Sequence, residues 1–75
     1  MAVSENRVSA YVCRIVDGKL QTHHTYVQRS ICVPLDSALP KLASGMSMTI
    51  AMTEMSALRA RLQRVGIDTS EPQEK

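Results

Sequence analysis

The sequence predicts a small α+β domain. Its expected architecture is an antiparallel three-stranded sheet, a hairpin of residues 7–16 and 19–33 plus a strand at 46–52, packed on a C-terminal helix in the order β-β-α-β-α. Three observations carry this. Asp17-Gly18 lies between two strand-like runs, residues 46–53 alternate strictly between apolar and small polar types, and residues 54–65 carry one apolar stripe at helical spacing.

The first run, RVSAYVCRIV over residues 7–16, is rich in β-branched and aromatic residues, the types that fit a pleated surface. Asp-Gly is a strong hairpin signal because a type I′ turn needs positive φ at both central residues. A two-residue turn fixes the register: Val16 faces Lys19, Ile15 faces Leu20, Cys13 faces Thr22, Tyr11 faces His24 and Ser9 faces Tyr26. Alternation then places Tyr11, Cys13, Ile15, Leu20, His24 and Tyr26 on one face. Val8, Ala10, Val12, Arg14, His23 and Val27 fall on the other. Neither face is cleanly polar, whereas a half-exposed antiparallel sheet normally has one polar face. Both faces are therefore expected to be partly covered, one by helices and the other by a second copy or a partner.

The second run is long for a single strand and is expected to bend or bulge near Gln28 to Ser30, where its alternation breaks, and to end at Pro34. Leu35-Asp36-Ser37 reads as a helix start with Asp36 or Ser37 as cap and Pro40 in the first turn, the place where proline is tolerated. This helix is expected to end near Ser44-Gly45, with Leu39, Leu42 and Ala43 turned inward.

In residues 46–53, Met46, Met48, Ile50 and Met52 alternate with Ser47, Thr49, Ala51 and Thr53, which favours a strand. A helical alternative remains, since Met48, Ala51, Met55, Leu58, Leu62 and Val65 also fall on one seam. Thr53 is the expected cap of the last helix and Glu54 complements its positive end. Met55, Leu58, Leu62 and Val65 form that helix's stripe, Gly66 ends it, and Ile67 supplies the closing hydrophobic contact. Residues 1–6 read as a flexible arm, 7–67 as the single domain and 68–75 as a disordered acidic tail.

At 75 residues the chain is one domain at most. A chain of that size buries only about 60% of its unfolded surface. Its hydrophobic share of 44% suits a globular fold, but the only aromatic residues are Tyr11 and Tyr26. The core is therefore built from smaller side chains, which favours self-association. Two cysteines, no apolar run near the roughly 18 residues of a membrane span, and an opening MAVSENRVSA without a leader pattern point to the cytoplasm and reduced thiols. Between residues 7 and 67, eight basic residues against three acids leave +5, which permits an acidic partner without requiring one.

No constellation for chemistry stands out. Cys13, His23, His24 and Cys32 are spaced C-x9-H-H-x7-C, and adjacent histidines on a strand face opposite ways, so no metal site and no cofactor are expected. Cys13 and His24 share a face, the nearest approach to a catalytic dyad, but no strand carboxylate is available to orient the imidazole. Asp17, Asp36 and Glu54 have turn and helix-end roles, and Gly18, Gly45 and Gly66 stand outside any phosphate-binding pattern. Four methionines (Met46, Met48, Met52 and Met55) cluster and can fill a core without Phe or serve an adaptable contact surface.

The expected function is that of a non-enzymatic accessory or regulatory protein, an inhibitor or adaptor, binding a protein partner and itself. The contact would use Tyr11, His24, Tyr26, Arg14 and Arg29, or the edge of the long second strand. The alternative is a nucleic-acid-binding regulator using Arg7, Arg29, Arg59, Arg61 and Arg64. No membrane association and no small-molecule ligand are expected.

Overall fold

A computed structural model describes residues 6–70 of the chain. Strands β1 (Arg7–Val16) and β2 (Lys19–Gln28) form the hairpin. A 3-10 turn (Arg29–Ile31), helix α1 (Leu35–Ala43), strand β3 (Met48–Ala51), a second 3-10 turn (Met52–Glu54) and helix α2 (Met55–Arg64) follow. The sheet order is β2-β1-β3, with both pairings antiparallel, so β1 is the central strand. The α+β class and the β-β-α-β-α order are those expected from the sequence.

The turn sets the register. Asp17 has φ 54° and Gly18 φ 75°, the left-handed pair of a type I′ turn. Every pairing from Val16↔Lys19 to Arg7↔Gln28 follows from it, including Tyr11↔His24 and Ser9↔Tyr26. The helices cover the face that carries Cys13 and Leu20. Those two residues, Ile50 of β3, Ala38 and Leu42 of α1, and Met55, Leu58 and Leu62 of α2 form one buried cluster. Tyr11, Ile15, Met48 and Ile67 pack around it.

Five boundaries differ from expectation. The second strand stops at Gln28 and not at residue 33; the break in alternation becomes a 3-10 turn. Beyond that turn the chain reaches the outer edge of β3, where the Val33 N–H donates to the Thr49 carbonyl at 2.8 Å. Residues 46–53 contain a strand and not a helix, but it spans only Met48–Ala51 because the chain tightens into the turn at Met52. The helix starts are uncapped by side chains: Pro34 precedes α1 and Glu54 precedes α2, so Asp36, Ser37 and Thr53 are not caps. Pro40 consequently lies inside α1, where the carbonyl it leaves without a helical donor is that of exposed Asp36. Val65, placed in the stripe by its spacing, lies past α2 and is 73% exposed.

The fifth difference is at the C-terminus. Residues 68–70 are structured and not part of a disordered tail. After α2, Gly66 (φ 89°) closes a Schellman ending in which Ile67 N–H donates to the Leu62 carbonyl at 3.0 Å and Gly66 N–H to that of Gln63 at 3.1 Å. The chain then joins the outer edge of β2 in a parallel bridge, Lys19↔Asp68. Its two bonds are Leu20 N–H to the Asp68 carbonyl (2.8 Å) and Asp68 N–H to the Gly18 carbonyl (2.9 Å). Thr69 is buried and accepts from Gln63 Nε2 at 2.7 Å. Residues 1–5 of the expected arm and 71–75 of the expected tail lie outside the described residues.

Asp68 also ends this pairing. Its carboxylate accepts from the Ser70 N–H at 3.0 Å and from the Ser70 hydroxyl, an Asx turn that removes Ser70 from the ladder. Those two bonds, with a smaller contribution from Lys19, hold the Asp68 carboxyl below its ordinary value. A depressed carboxylate stabilises the fold above the unfolded value and ceases to do so as pH falls through the folded one. Asp68→Ala is accordingly expected to lower the protection of the Leu20 amide, measured against the unstructured exchange rate at the same pH, and acidification below the carboxylate range is expected to do the same. Unchanged Leu20 protection in Asp68→Ala would show that the turn does not anchor the segment.

Candidate contact surface

The structure divides the residues expected to form the contact. Tyr11 is half-buried and packs against the core, so it is largely structural. His24 and Tyr26 share its face but lie toward the open end of the hairpin, where both are exposed. His24 meets Tyr11 edge-on, with ring centroids 5.3 Å apart. Arg14 is exposed on the opposite face, and Arg29 is exposed in the turn after β2.

That opposite face is the one left bare. Both helices place their buried residues on the Cys13 side. Val8, Val12 and Arg14 of β1, Thr25 and Val27 of β2 and Thr49 of β3 point the other way by alternation. Ala10, fully buried, lies among them, and none of the three valines packs against the buried core cluster. The valines and threonines are half-buried, as β-branched side chains shield one another across the strands. Sequence reasoning assigned Val8, Ala10, Val12, Arg14, His23 and Val27 to this face but nominated only Arg14 among them for contact, centring the contact on the Tyr11 face. The available signal was that the apolar stripes of two short helices suffice to cover only one side of a three-stranded sheet.

The second feature is the outer edge of β2. A two-residue hairpin makes Val16↔Lys19 a hydrogen-bonded pair, so odd-numbered β2 residues bond to β1 and even-numbered ones point outward. The Leu20 N–H bond to Asp68 obeys this parity. Beyond Leu20 the outward N–H groups of Thr22, His24, Tyr26 and Gln28 and the carbonyls of Thr22 and His24 meet no backbone partner among the described residues, while the Tyr26 carbonyl accepts from Arg7 Nη2 and the Gln28 carbonyl opens the 3-10 turn. Edges usually carry a blunting device such as proline, lysine or a bulge. Residues 22–28 of β2 contain none of these.

The arginines of the nucleic-acid alternative do not act alike. Arg7 donates from Nη2 to the Tyr26 carbonyl at 3.1 Å and lies 5.4 Å from the Tyr26 ring centroid, a cation–π stack. Arg7 and Arg29 line one open depression of about 320 Å³ together with Tyr26 and Met52. No α2 arginine lines it. Arg59 is half-buried and acts on Cys13 electrostatically. Arg61 pairs loosely with Asp36 at 3.8 Å, and Arg64 is exposed in the last turn. The methionines divide as well: Met48 and Met55 pack inward, while Met46 and Met52 are about half exposed.

Cys13 is fully buried; its Sγ is 3.7 Å from Met55 Sδ and 3.5 Å from the Tyr11 carbonyl. Burial pushes the thiol up from 9.0 to about 11, with Arg59 opposing the rise. The thiolate needed for nucleophilic attack is thus disfavoured near neutral pH. Cys13 is expected to alkylate far more slowly than the half-buried Cys32 in the native protein. Fast native labelling of Cys13 would contradict its placement. Among the described residues, no three of His, Cys, Asp and Glu converge as a metal site. No helix among the described residues is long and apolar enough to cross a membrane. Comparison with protein-family models, characterised proteins and solved structures finds no match to this chain.

Proposed function

We propose that this chain is a small non-enzymatic accessory or regulatory protein of the cytoplasm. It acts by protein–protein binding, as an inhibitor or adaptor of a larger protein, and works as a homodimer. The observation that carries this reading is the single-sided sheet. One face is sealed by both helices, while the other presents Val8, Val12 and Val27, which do not pack against the buried cluster, together with Thr25 and Thr49. Apolar surface left contiguous on a small domain marks a contact site. No cofactor or small-molecule ligand enters this reading.

The test is affinity capture from native lysate with the tagged chain beside a Val12→Asp/Val27→Asp variant. Proteins retained by the first and lost from the second, at equal melting temperature, support the reading. Identical retention by both, or none by either, contradicts it.

The nucleic-acid alternative has one specific observation in its favour, the stack of Arg7 on Tyr26 beside Arg29. Such a platform suits unpaired bases. It predicts a gel shift with single-stranded oligonucleotides that weakens steeply with salt and is lost in Arg7→Ala/Tyr26→Ala. An absent or salt-independent shift dismisses it.

A further inference from the structure

We propose that two copies of this chain join through the outer edges of their β2 strands, antiparallel and in one register centred on Thr25, giving a continuous six-stranded sheet. The inference rests on the protein-binding reading above and names the first partner as a second copy.

The argument begins with the limits of the free edge. At its start, Leu20 N–H is already bonded to the Asp68 carbonyl, and the Asx turn at Asp68 leads the chain away before it reaches Thr22. At its other end, β2 stops at Gln28 and the chain curls into the 3-10 turn. What remains is residues 22–28, with outward backbone groups on Thr22, His24, Tyr26 and Gln28.

A two-fold axis restricts how this segment can meet itself. Outward groups must meet outward groups, so even-numbered residues must oppose even-numbered ones. Centred on Thr25, Thr22 meets Gln28 of the second copy and His24 meets its Tyr26, and the symmetry repeats both pairs. All four outward N–H groups of each chain then find an acceptor, with the Tyr26 carbonyl shared with Arg7 and the Gln28 carbonyl shared with the 3-10 turn. Centred on His24, Gln28 instead meets Leu20 of the second copy, whose N–H is occupied, and His24 meets His24. Centred on Tyr26, Thr22 meets Ser30, which lies in the 3-10 turn. Only the Thr25 register uses the whole free edge.

Its cross-strand pairs are favourable. Thr25 faces Thr25 and His23 faces Val27 on the bare side, while the exposed His24 and Tyr26 rings pair on the other. Threonine pairs and aromatic pairs stabilise neighbouring strands, and no two like charges are placed opposite. Such an axis is perpendicular to the sheet. Both copies therefore keep their helices on the same side, and the two bare faces become one continuous surface.

Thr25 opposes its own copy as a non-hydrogen-bonded pair, with Cα atoms about 4.5 Å apart, a spacing compatible with a disulfide. The test is oxidative cross-linking of full-length Thr25→Cys and His23→Cys, each with Cys32→Ser, alongside sedimentation of the unsubstituted chain. The expected results are a mass twice the chain's 8.3 kDa and a disulfide-linked dimer as the main product of Thr25→Cys, but not of His23→Cys. Circular dichroism matching the unsubstituted chain verifies that each variant folds. A monomer at high-micromolar concentration overturns the inference, and so does a dimer in which Thr25→Cys fails to cross-link. Either failure leaves the capture comparison with Val12→Asp/Val27→Asp free to succeed, so the partner-binding part of the reading above is tested separately; a monomer removes its homodimer part as well, whereas a dimer without the Thr25→Cys cross-link removes the edge register alone.

Discussion

Leu58→Ala is expected to lower the melting temperature by roughly 12–24 °C and to leave a substantial unfolded population at physiological temperature. Leu58 is fully buried in α2, within the cluster formed by the two helices and the covered sheet face. Truncating a buried leucine removes its transfer free energy and leaves a cavity, together about 3 kcal/mol within a range of roughly 2–5. A domain this size holds only about 4–11 kcal/mol in total, and a core without Phe or Trp belongs at the lower end. The same truncation at Val65, which is 73% exposed, is expected to shift the midpoint by less than about 0.5 kcal/mol. Thermal denaturation of the two variants measures the difference. Equal shifts would mean that the helix is packed in a different rotation from the one described.

The second large effect is a contrast between neighbours. His23→Pro removes an N–H that bonds to β1 opposite Val12, and is expected to destabilise the hairpin by about 3 kcal/mol or more. His24→Pro removes an N–H that points away from the sheet, a position where proline is tolerated, and is expected to fold with a far smaller loss. The same substitution eliminates a donor needed for pairing with a second copy, so it should be monomeric at every accessible concentration. Denaturant midpoints and sedimentation give both readouts. Comparable stability of the two variants would refute the parity assigned to β2.

Alkaline stability provides a further check on Cys13. Its folded value lies near 11 against an ordinary 9.0, so the folded state keeps the proton longer than the unfolded chain does. The stabilisation is complete below pH 9 and is lost between 9 and about 11, up to roughly 3 kcal/mol. Urea midpoints should fall across that window, and Cys13→Ala should remove this part of the fall. An identical decline in the variant would show that other groups cause it.

The hairpin was legible because two local rules coincide. Asp17-Gly18 accepts positive φ at both positions, and a side-chain period of two carries the register from the turn to Arg7. The Schellman ending at Gly66 was legible for the same local reason. The helix starts were not, because neither helix uses a side-chain cap and Pro40 is accommodated in α1 against an exposed partner. Residues 46–53 satisfied strand and helix spacing together. Pairing of Met48–Ala51 with Ala10–Cys13, a long-range choice, decided between them.

The site was only partly legible. Tyr11 and Tyr26 share a face by alternation, but where the helices end along the hairpin determines that one packs inward and the other is exposed. The bridge from Asp68 to the β2 edge is made by backbone atoms, and no local sequence pattern announced it. Yet that bridge sets the limit of the free edge, and with it the register available to a second copy.

The central claim is that the outer edge of β2 is a surface of contact. Residue-resolved amide exchange of the unsubstituted chain, measured dilute and then concentrated, tests it most directly. In dilute solution His23 and Thr25 should exchange slowly while Thr22, His24 and Tyr26 exchange fast. On concentration the latter three should become protected together. Outward amides that stay fast at every concentration would contradict the account.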